Sequence, residues 1–304
     1  MRIAVFDVGG TFIKYSLMID DVMTLQDKVK TPYEDQETFL KTIETVLETL
    51  KPVEGIAFSL PGVIDVDRKY IFAGGSLAYN NQTDVKAWEE RFHLPIEIEN
   101  DARCAAIAEL EAGNMQGIKQ GLVLTFGTGV GGGIIIDGDI YKGSHLIAGE
   151  VSVIFSKSPK VYHSKGLFGA IGSVYNLVEK IAKAKNSETR DGKEVFEWIH
   201  QGDEVSQKIF AEYCYEVICE LHNIQCLLDP QRICIGGGAS ENPLFIEGLQ
   251  KASDAFYNDF PIKFPHAQIV KCQYCNDANM LGAYYHYKKS VSYTHLTLPT
   301  NREV

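Results

Sequence analysis

The chain has 304 residues, a formal net charge of -11 and seven cysteines. That length supplies two ordinary hydrophobic cores without a disulfide or metal staple, and the acidic balance argues against a broad nucleic-acid surface, which needs clustered Lys and Arg. No stretch of about 18 uncharged apolar residues occurs, so neither a membrane span nor a secretory leader is expected; the chain reads as cytoplasmic, with its odd, scattered cysteines reduced.

RIAVFD (2–7) and FIKYSLMI (12–19) read as two strands of a hairpin, joined by a turn at Gly9 and Gly10. No G-K-[ST] occurs, and the residues after the turn alternate like a strand rather than a helix, so neither the Walker nor the dinucleotide fingerprint applies. A turn without side chains lets an anionic group reach backbone N–H groups directly, and Asp7, Thr11 and Lys14 set an acid, a hydroxyl and a cation around it. Residues 36–50 carry apolar positions at helical spacing, 54–60 and 94–99 read as strands, and 101–114 as a helix entered at Asn100 or Asp101. Both are favoured N-cap residues, so capping and acid–base chemistry remain alternatives at this pair.

GLVLTFGTGVGGGIIIDGDIYKG (121–143) repeats the strand, glycine turn, strand layout about 120 residues later. The repeat implies two related α/β domains facing each other across a cleft, residues 1–116 and 117–275, with a last helix over 276–289 rejoining the first. Helices are expected near 170–184, 191–200, 203–227 and 242–258, the last entered from a buried strand, RICIGGG (232–238), whose glycines make a third such turn. Three glycine turns at corresponding strand ends point to phosphate recognition, the first two converging on a triphosphate and the third bordering a nucleoside. Cys272 and Cys275 form a C-x-x-C with no second pair at zinc-ribbon spacing, and read as buried thiols. Residues 291–304 break the preceding helical pattern and read as a non-native tail.

FDVGGTFIK (6–14), SLPGVID (59–65), IENDARCAAIAE (98–109), LTFGTGVGGGIIIDGDIYKG (124–143), AGE (148–150) and ICIGGGAS (233–240) stand in the order and spacing of the ROK family. The sequence resembles that family of bacterial sugar kinases, transcriptional repressors and uncharacterised proteins over residues 2 to about 288. The resemblance implies an actin-like, ribonuclease-H-like two-domain α/β fold that binds ATP, Mg²⁺ and a sugar, and a homodimer. Carried over by motif, Asp101 is the general base, and Gly62, Asn100 and Glu150 face the sugar. Asp7 lies near the metal; Gly9, Gly10, Thr11, Thr128 and Gly129, together with Lys14, approach the phosphates; Gly237 and Gly238 border the adenosine.

The chain also departs from the family. Most members follow the glutamate with a histidine and then a cysteine motif, which together hold a structural zinc. Here the histidine position is Val153 and HSKGLFGAIGS (163–173) has no cysteine. Tetrahedral zinc needs about four N or S ligands, and they are missing, so no zinc is expected. The family's sugar-gripping glutamate at the end of the cysteine motif falls on Gly172. These replacements remove two polar contacts near C1 and C2 of the sugar and leave room for an aglycone or a second sugar. The expectation is an ATP-dependent kinase of the 6-hydroxyl of a hexose or β-glucoside, such as glucose or a cellobiose-like sugar. An N-acetylmannosamine or fructose kinase is the first alternative. A non-catalytic sugar-binding regulator is the second, against which Asp7, Asp101 and Glu150 stand intact. The family's repressors carry a helix-turn-helix before the first glycine motif, whereas here that strand begins at residue 2, so no DNA partner is expected.

Overall fold

The apolar start of the chain becomes β1 (Arg2–Val8), buried along nearly its whole length. In the computed structural model, which describes residues 1–296, β1 is the middle strand of a five-stranded sheet. It pairs antiparallel with β2 (Phe12–Ile19), which pairs antiparallel with β3 (Val22–Lys30). After α1 (Gln36–Leu50), β4 (Gly55–Leu60) pairs parallel with β1 on its other side. A small three-stranded sheet follows, made of β5 (Val63–Asp65), β6 (Tyr70–Ala73) and β7 (Thr83–Asp84). Then come α2 (Lys86–Phe92), β8 (Ile96–Asn100), parallel to β4, and α3 (Asp101–Ala112).

The layout then recurs. β9 (Gly121–Phe126), β10 (Val130–Ile136) and β11 (Asp139–Tyr141) form an antiparallel meander, and β12 (Arg232–Gly236) and β13 (Gln268–Lys271) add in parallel beyond β9. The two large sheets therefore share one order, β3-β2-β1-β4-β8 and β11-β10-β9-β12-β13. Between β11 and β12 lie α4 (Pro159–Tyr162), α5 (Phe168–Ile171), α6 (Val174–Ala184), α7 (Gly192–His200) and α8 (Glu204–Leu228); α9 (Pro243–Asp259) precedes β13, and α10 (Ala278–Leu296) comes after it.

Contacts divide the chain into two units, Met1–Ala108 with the chain from Asp277 onward, and Glu109–Asn276. In the first, one face of the central sheet packs Phe6, Ile13 and Phe58 against Phe39 and Ile43 of α1 and Trp88 of α2. The other face packs Ile3, Val5 and Ala57 against Met280, Ala283, Tyr284 and Tyr287 of α10. Covering both faces is what lets the parallel strands be apolar throughout. The helices have local reasons to start where they do: Asp35 accepts from Thr38 N at 2.7 Å to begin α1, and Asp203 accepts from Ser206 N at 2.9 Å to begin α8. In the second unit, α6 to α9 bury one cluster with the sheet, centred on Phe126, Phe210, Tyr213 and Phe245.

Two sequence expectations need correction. The last helix does not stop at residue 289 but continues to Leu296, with Val291 packed against the α10 cluster, so the helical pattern does not break at 291. The rest of the expected tail, 297–304, lies outside the described residues. The strand β3 was not expected, because seven of its nine residues face solvent and alternation leaves no mark there. No helix among the described residues is long and apolar enough to cross a membrane.

Candidate active site

The first unit collects its candidate residues at the C-terminal edge of β1, β4 and β8. Register sets Asp7 opposite Ser59 and Ser59 opposite Glu99, with Asn100 opposite Leu60 at the next step. Asp7 and the Asn100–Asp101 pair are thus two strand spacings apart, about 10 Å. Ligands of open α/β sheets bind at that edge.

Asp7 is 6 % exposed, and its two oxygens have different surroundings. Oδ1 accepts from Ser59 Oγ and from Asn279 Nδ2, each at 3.0 Å, while Oδ2 lies 3.8 Å from Lys14 Nζ. Two donors and a cation offset the penalty of burying the carboxylate. The neighbouring glycine turn is held from outside: Thr31 Oγ1 donates to the Gly9 carbonyl at 2.7 Å, the Tyr33 hydroxyl donates to the Gly10 carbonyl, and Gly9 N donates to Phe12 O at 3.1 Å. Thr11 stands exposed at its tip.

Of the roles left open at Asn100–Asp101, the cap falls to Asn100. Asn100 Oδ1 accepts from Arg103 N at 3.1 Å, the bond of an N-cap, and its Nδ2 donates to the Gly62 carbonyl at 3.1 Å. Asn100 caps α3, and Asp101 is not needed for it. Asp101 occupies the first turn, half-buried, where the positive end of the helix favours an anion, and its Oδ1 accepts from Ala102 N at 2.8 Å. Gly62 cannot be another residue. Its φ is +108°, and a Cβ there would collide with the Ala73 carbonyl oxygen.

The second unit places its glycine turns side by side. Thr125 of β9 is in register with Gly236 of β12, so Gly127–Gly129 and Gly236–Gly238 leave the same sheet edge on neighbouring strands. Gly237 has φ +82°, and a Cβ on it would strike Phe126, lying 2.7 Å from its backbone nitrogen. At Gly127 and Gly238 an added Cβ meets nothing within 4 Å, so the backbone there is open. Beside Gly238 lies a cavity of about 410 Å³ lined by Val174, Asp191, Lys193, Phe196, Ala239 and Asn242, among others. Backbone unscreened by side chains, next to a mixed apolar and polar cavity of this size, suits a phosphate chain followed by a nucleoside, although the Gly127 N–H itself donates to the Gly129 carbonyl at 3.0 Å.

Glu150, half-buried, follows Gly149, whose φ is +92° and whose backbone presses on β10: a Cβ on Gly132 would meet the Gly149 carbonyl oxygen at 2.5 Å. This glycine-on-glycine contact fixes Glu150 against the same sheet. Ser152 Oγ lies 3.5 Å from where a Cβ of Gly129 would sit, so the glutamate segment and the Thr128–Gly129 turn are neighbours. At the two positions of departure, Val153 is 62 % exposed, and Gly172 is packed so that a Cβ would lie 2.6 Å from Val130 Cγ2.

Sequence reasoning missed Ser59, Asn279, Thr31 and Tyr33, all of which hold Asp7 or its turn. Ser59 was within reach, since it sits inside the SLPGVID motif.

Two sheets of one order, with acids and glycine turns gathered at their strand ends, define the actin-like class of ATPase folds. The chain belongs to the ROK family, whose sequence pattern matches residues 3–290. It is 32 % identical over 292 residues to a beta-glucoside kinase of Listeria monocytogenes, covering 94 % of this chain and 97 % of that one. It is 31 % identical over 297 residues to a beta-glucoside kinase of Klebsiella pneumoniae, covering 95 % and 97 %. Among solved structures, a ROK family protein of Streptococcus pneumoniae in complex with sucrose superposes with a TM-score of 0.85 at 28 % identity, covering 96 % of this chain and all of that one. A ROK family glucokinase of Streptomyces griseus, in complex with glucose and AMPPNP, superposes with a TM-score of 0.79 at 26 % identity, covering 93 % and 98 %.

Proposed function

We propose that this ROK-family phosphotransferase moves the γ-phosphoryl group of ATP to the 6-hydroxyl of glucose carried as a β-glucoside. The observation that carries the chemistry is the division of labour at the start of α3: Asn100 caps the helix, so the Asp101 carboxylate is not committed to that task. In this reading Asp101 accepts the proton of the sugar hydroxyl as the phosphoryl group arrives. Asn100 and the Gly62 loop, tied by one hydrogen bond, hold the sugar with Glu150. The glycine turns at Gly9–Gly10 and Thr128–Gly129 let the phosphates come close to the backbone, with Thr11 and Lys14 beside the first. Gly237 and Gly238 border the adenosine. Mg²⁺, bound with the nucleotide, would neutralise phosphate charge beside Asp7, whose Oδ2 is the oxygen that Ser59 and Asn279 leave to other partners.

The β-glucoside assignment comes from the departures at Val153 and Gly172 and from the relatives named for that activity. Without the histidine and the glutamate, the sugar's anomeric end meets less polarity; the extra room expected at Gly172 is not there, because that glycine is packed against Val130, Phe168 and Phe126. A coupled assay of ADP release over cellobiose, other β-glucosides, glucose, N-acetylmannosamine, N-acetylglucosamine and fructose tests the assignment. A β-glucoside should give the highest kcat/KM; a preference for an amino sugar or fructose would reassign the substrate. In the same assay Asp101→Asn should lower kcat by about 10²–10⁴ while sugar binding persists, and unchanged turnover would remove the proposed base.

A further inference from the structure

Behind the third glycine turn lies a group of side chains for which the phosphoryl-transfer chemistry has no use. Glu109 of α3, Cys234 of β12 and Cys272, just after β13, are all buried, and one ligand atom from each lies within 4.8 Å of the others. Their separation in sequence hides them: only the fold brings the three together. Glu109 is fully buried, and among the described residues its hydrogen-bond partners are two backbone N–H groups, from Tyr274 to Oε1 at 2.8 Å and from Asn114 to Oε2 at 2.9 Å. A carboxylate taken out of water and held only by neutral donors lacks charge compensation. The second lone pair of each oxygen remains available to a cation.

We propose that Glu109, Cys234 and Cys272 form a buried site for a thiophilic divalent cation of the zinc class, with Cys275 as the fourth ligand. Two soft sulfurs and a carboxylate at this spacing suit tetrahedral zinc better than Mg²⁺ or Ca²⁺, which take oxygen. Cys275 is three residues beyond Cys272, the spacing of a zinc-binding C-x-x-C. Its Sγ lies 3.8 Å from the Cys272 carbonyl and 3.7 Å from Ser240 Oγ, so joining the group requires its side chain to rotate. Loading is an exchange without redox change: Zn²⁺ enters, the three thiols release three protons to solvent, and the carboxylate binds as it stands. The site is separate from the position of the family's zinc, where this chain has Val153 and the cysteine-free segment 163–173.

Occupancy has a structural consequence. Cys272 Sγ lies 3.0 Å from where a Cβ of Gly236 would sit, and Cys272 N donates to Ile235 O at 2.9 Å. An ion joining Cys234 to Cys272 therefore crosslinks the middle of β12 to the residue after β13, beside Gly236.

The reduced full-length protein, equilibrated with Zn²⁺ and desalted, should retain close to one zinc per chain by elemental analysis. Cys234→Ser and Cys272→Ser should each lose it on the same column, whereas Cys226→Ser, which alters an exposed thiol, should keep it. Since the buried variants could fail to fold, Co²⁺ substitution into the wild-type protein supplies an independent readout: sulfur-to-cobalt charge transfer and the strong visible bands of tetrahedral cobalt. Wild-type protein that retains no zinc and gives no such bands overturns the site, and so does retention that is equal in folded Cys272→Ser.

Discussion

Asn279 donates its side-chain N–H to Asp7 Oδ1 at 3.0 Å, joining residues 272 positions apart in sequence. With Ser59 on the same oxygen, this bond fixes the carboxylate's rotation and decides which oxygen is left toward Lys14. A residue from the last helix thus orients an acid from the first strand.

Asn279→Ala should lower kcat/KM by roughly tenfold, about 1.5 kcal/mol, the worth of one hydrogen bond to a charged acceptor. The effect should fall on the apparent affinity for Mg²⁺–ATP rather than on the sugar KM. Asn279→Asp, which sets like charges at hydrogen-bond distance, should be worse than alanine; steady-state kinetics with each substrate varied separately, on protein of matched thermal stability, checks both statements.

Gly237→Ala should be damaging on two counts. The left-handed φ disfavours any side chain, and the added methyl meets the Phe126 backbone nitrogen at 2.7 Å. Denaturant unfolding should show a loss of about 1–3 kcal/mol, and the KM for ATP should rise with little change in that for sugar. Gly238→Ala, whose methyl enters open space, should be the milder of the two in unfolding.

Restoring the family's glutamate at position 172 should not restore its function. A side chain there runs into Val130 at 2.6 Å and into Phe126 and Phe168 at 3.3 and 3.2 Å. Gly172→Glu should lose about 1–3 kcal/mol from overpacking alone, measured by denaturant unfolding, and sugar preference should stay unchanged. Adding Val130→Ala should recover part of the lost stability.

The acid limb of stability should include Asp203. Its carboxylate is pulled from an ordinary 3.8 down to about 2, chiefly by the Lys185 ammonium and then by Ser206. A depressed acid stabilises the fold above its unfolded pKa and loses that contribution as pH falls through the folded one. Asp203→Asn should therefore lower the melting temperature at neutral pH, and the gap to wild type should narrow as pH falls from about 4 toward 2. A gap that stays constant down to that limit would remove the assignment.

The parts of the fold that were legible in the sequence are those with a local cause. Gly9–Gly10, Gly127–Gly129 and Gly236–Gly238 announce themselves because a backbone that must bend sharply or admit a close neighbour excludes side chains, and the alternation around them marks strands. Which of Asn100 and Asp101 caps α3 could not be read, since both residues satisfy the cap preference and only the bond from Arg103 N distinguishes them. Asn279 was invisible for a different reason: its partner is remote in sequence, and an asparagine near a helix start resembles any other. The Glu109, Cys234 and Cys272 group shares that cause, being assembled from a helix, the middle of one strand and the residue after another. β3, charged and solvated on both faces, carried no periodicity to detect.

The packing of α10 on the first sheet also bears on how the protein is made. A Cβ on Gly282 would collide with the Cys104 carbonyl, and Tyr284 and Tyr287 are almost fully buried against strands from the opposite end of the chain. On the ribosome, the sheet of the first unit therefore emerges well before α10 and keeps one face bare until that helix follows. Residues 109–276 carry their own core and can mature while the nascent chain is still attached. The sheet of the first unit thus needs shelter from aggregation while the whole of residues 109–276 is being translated.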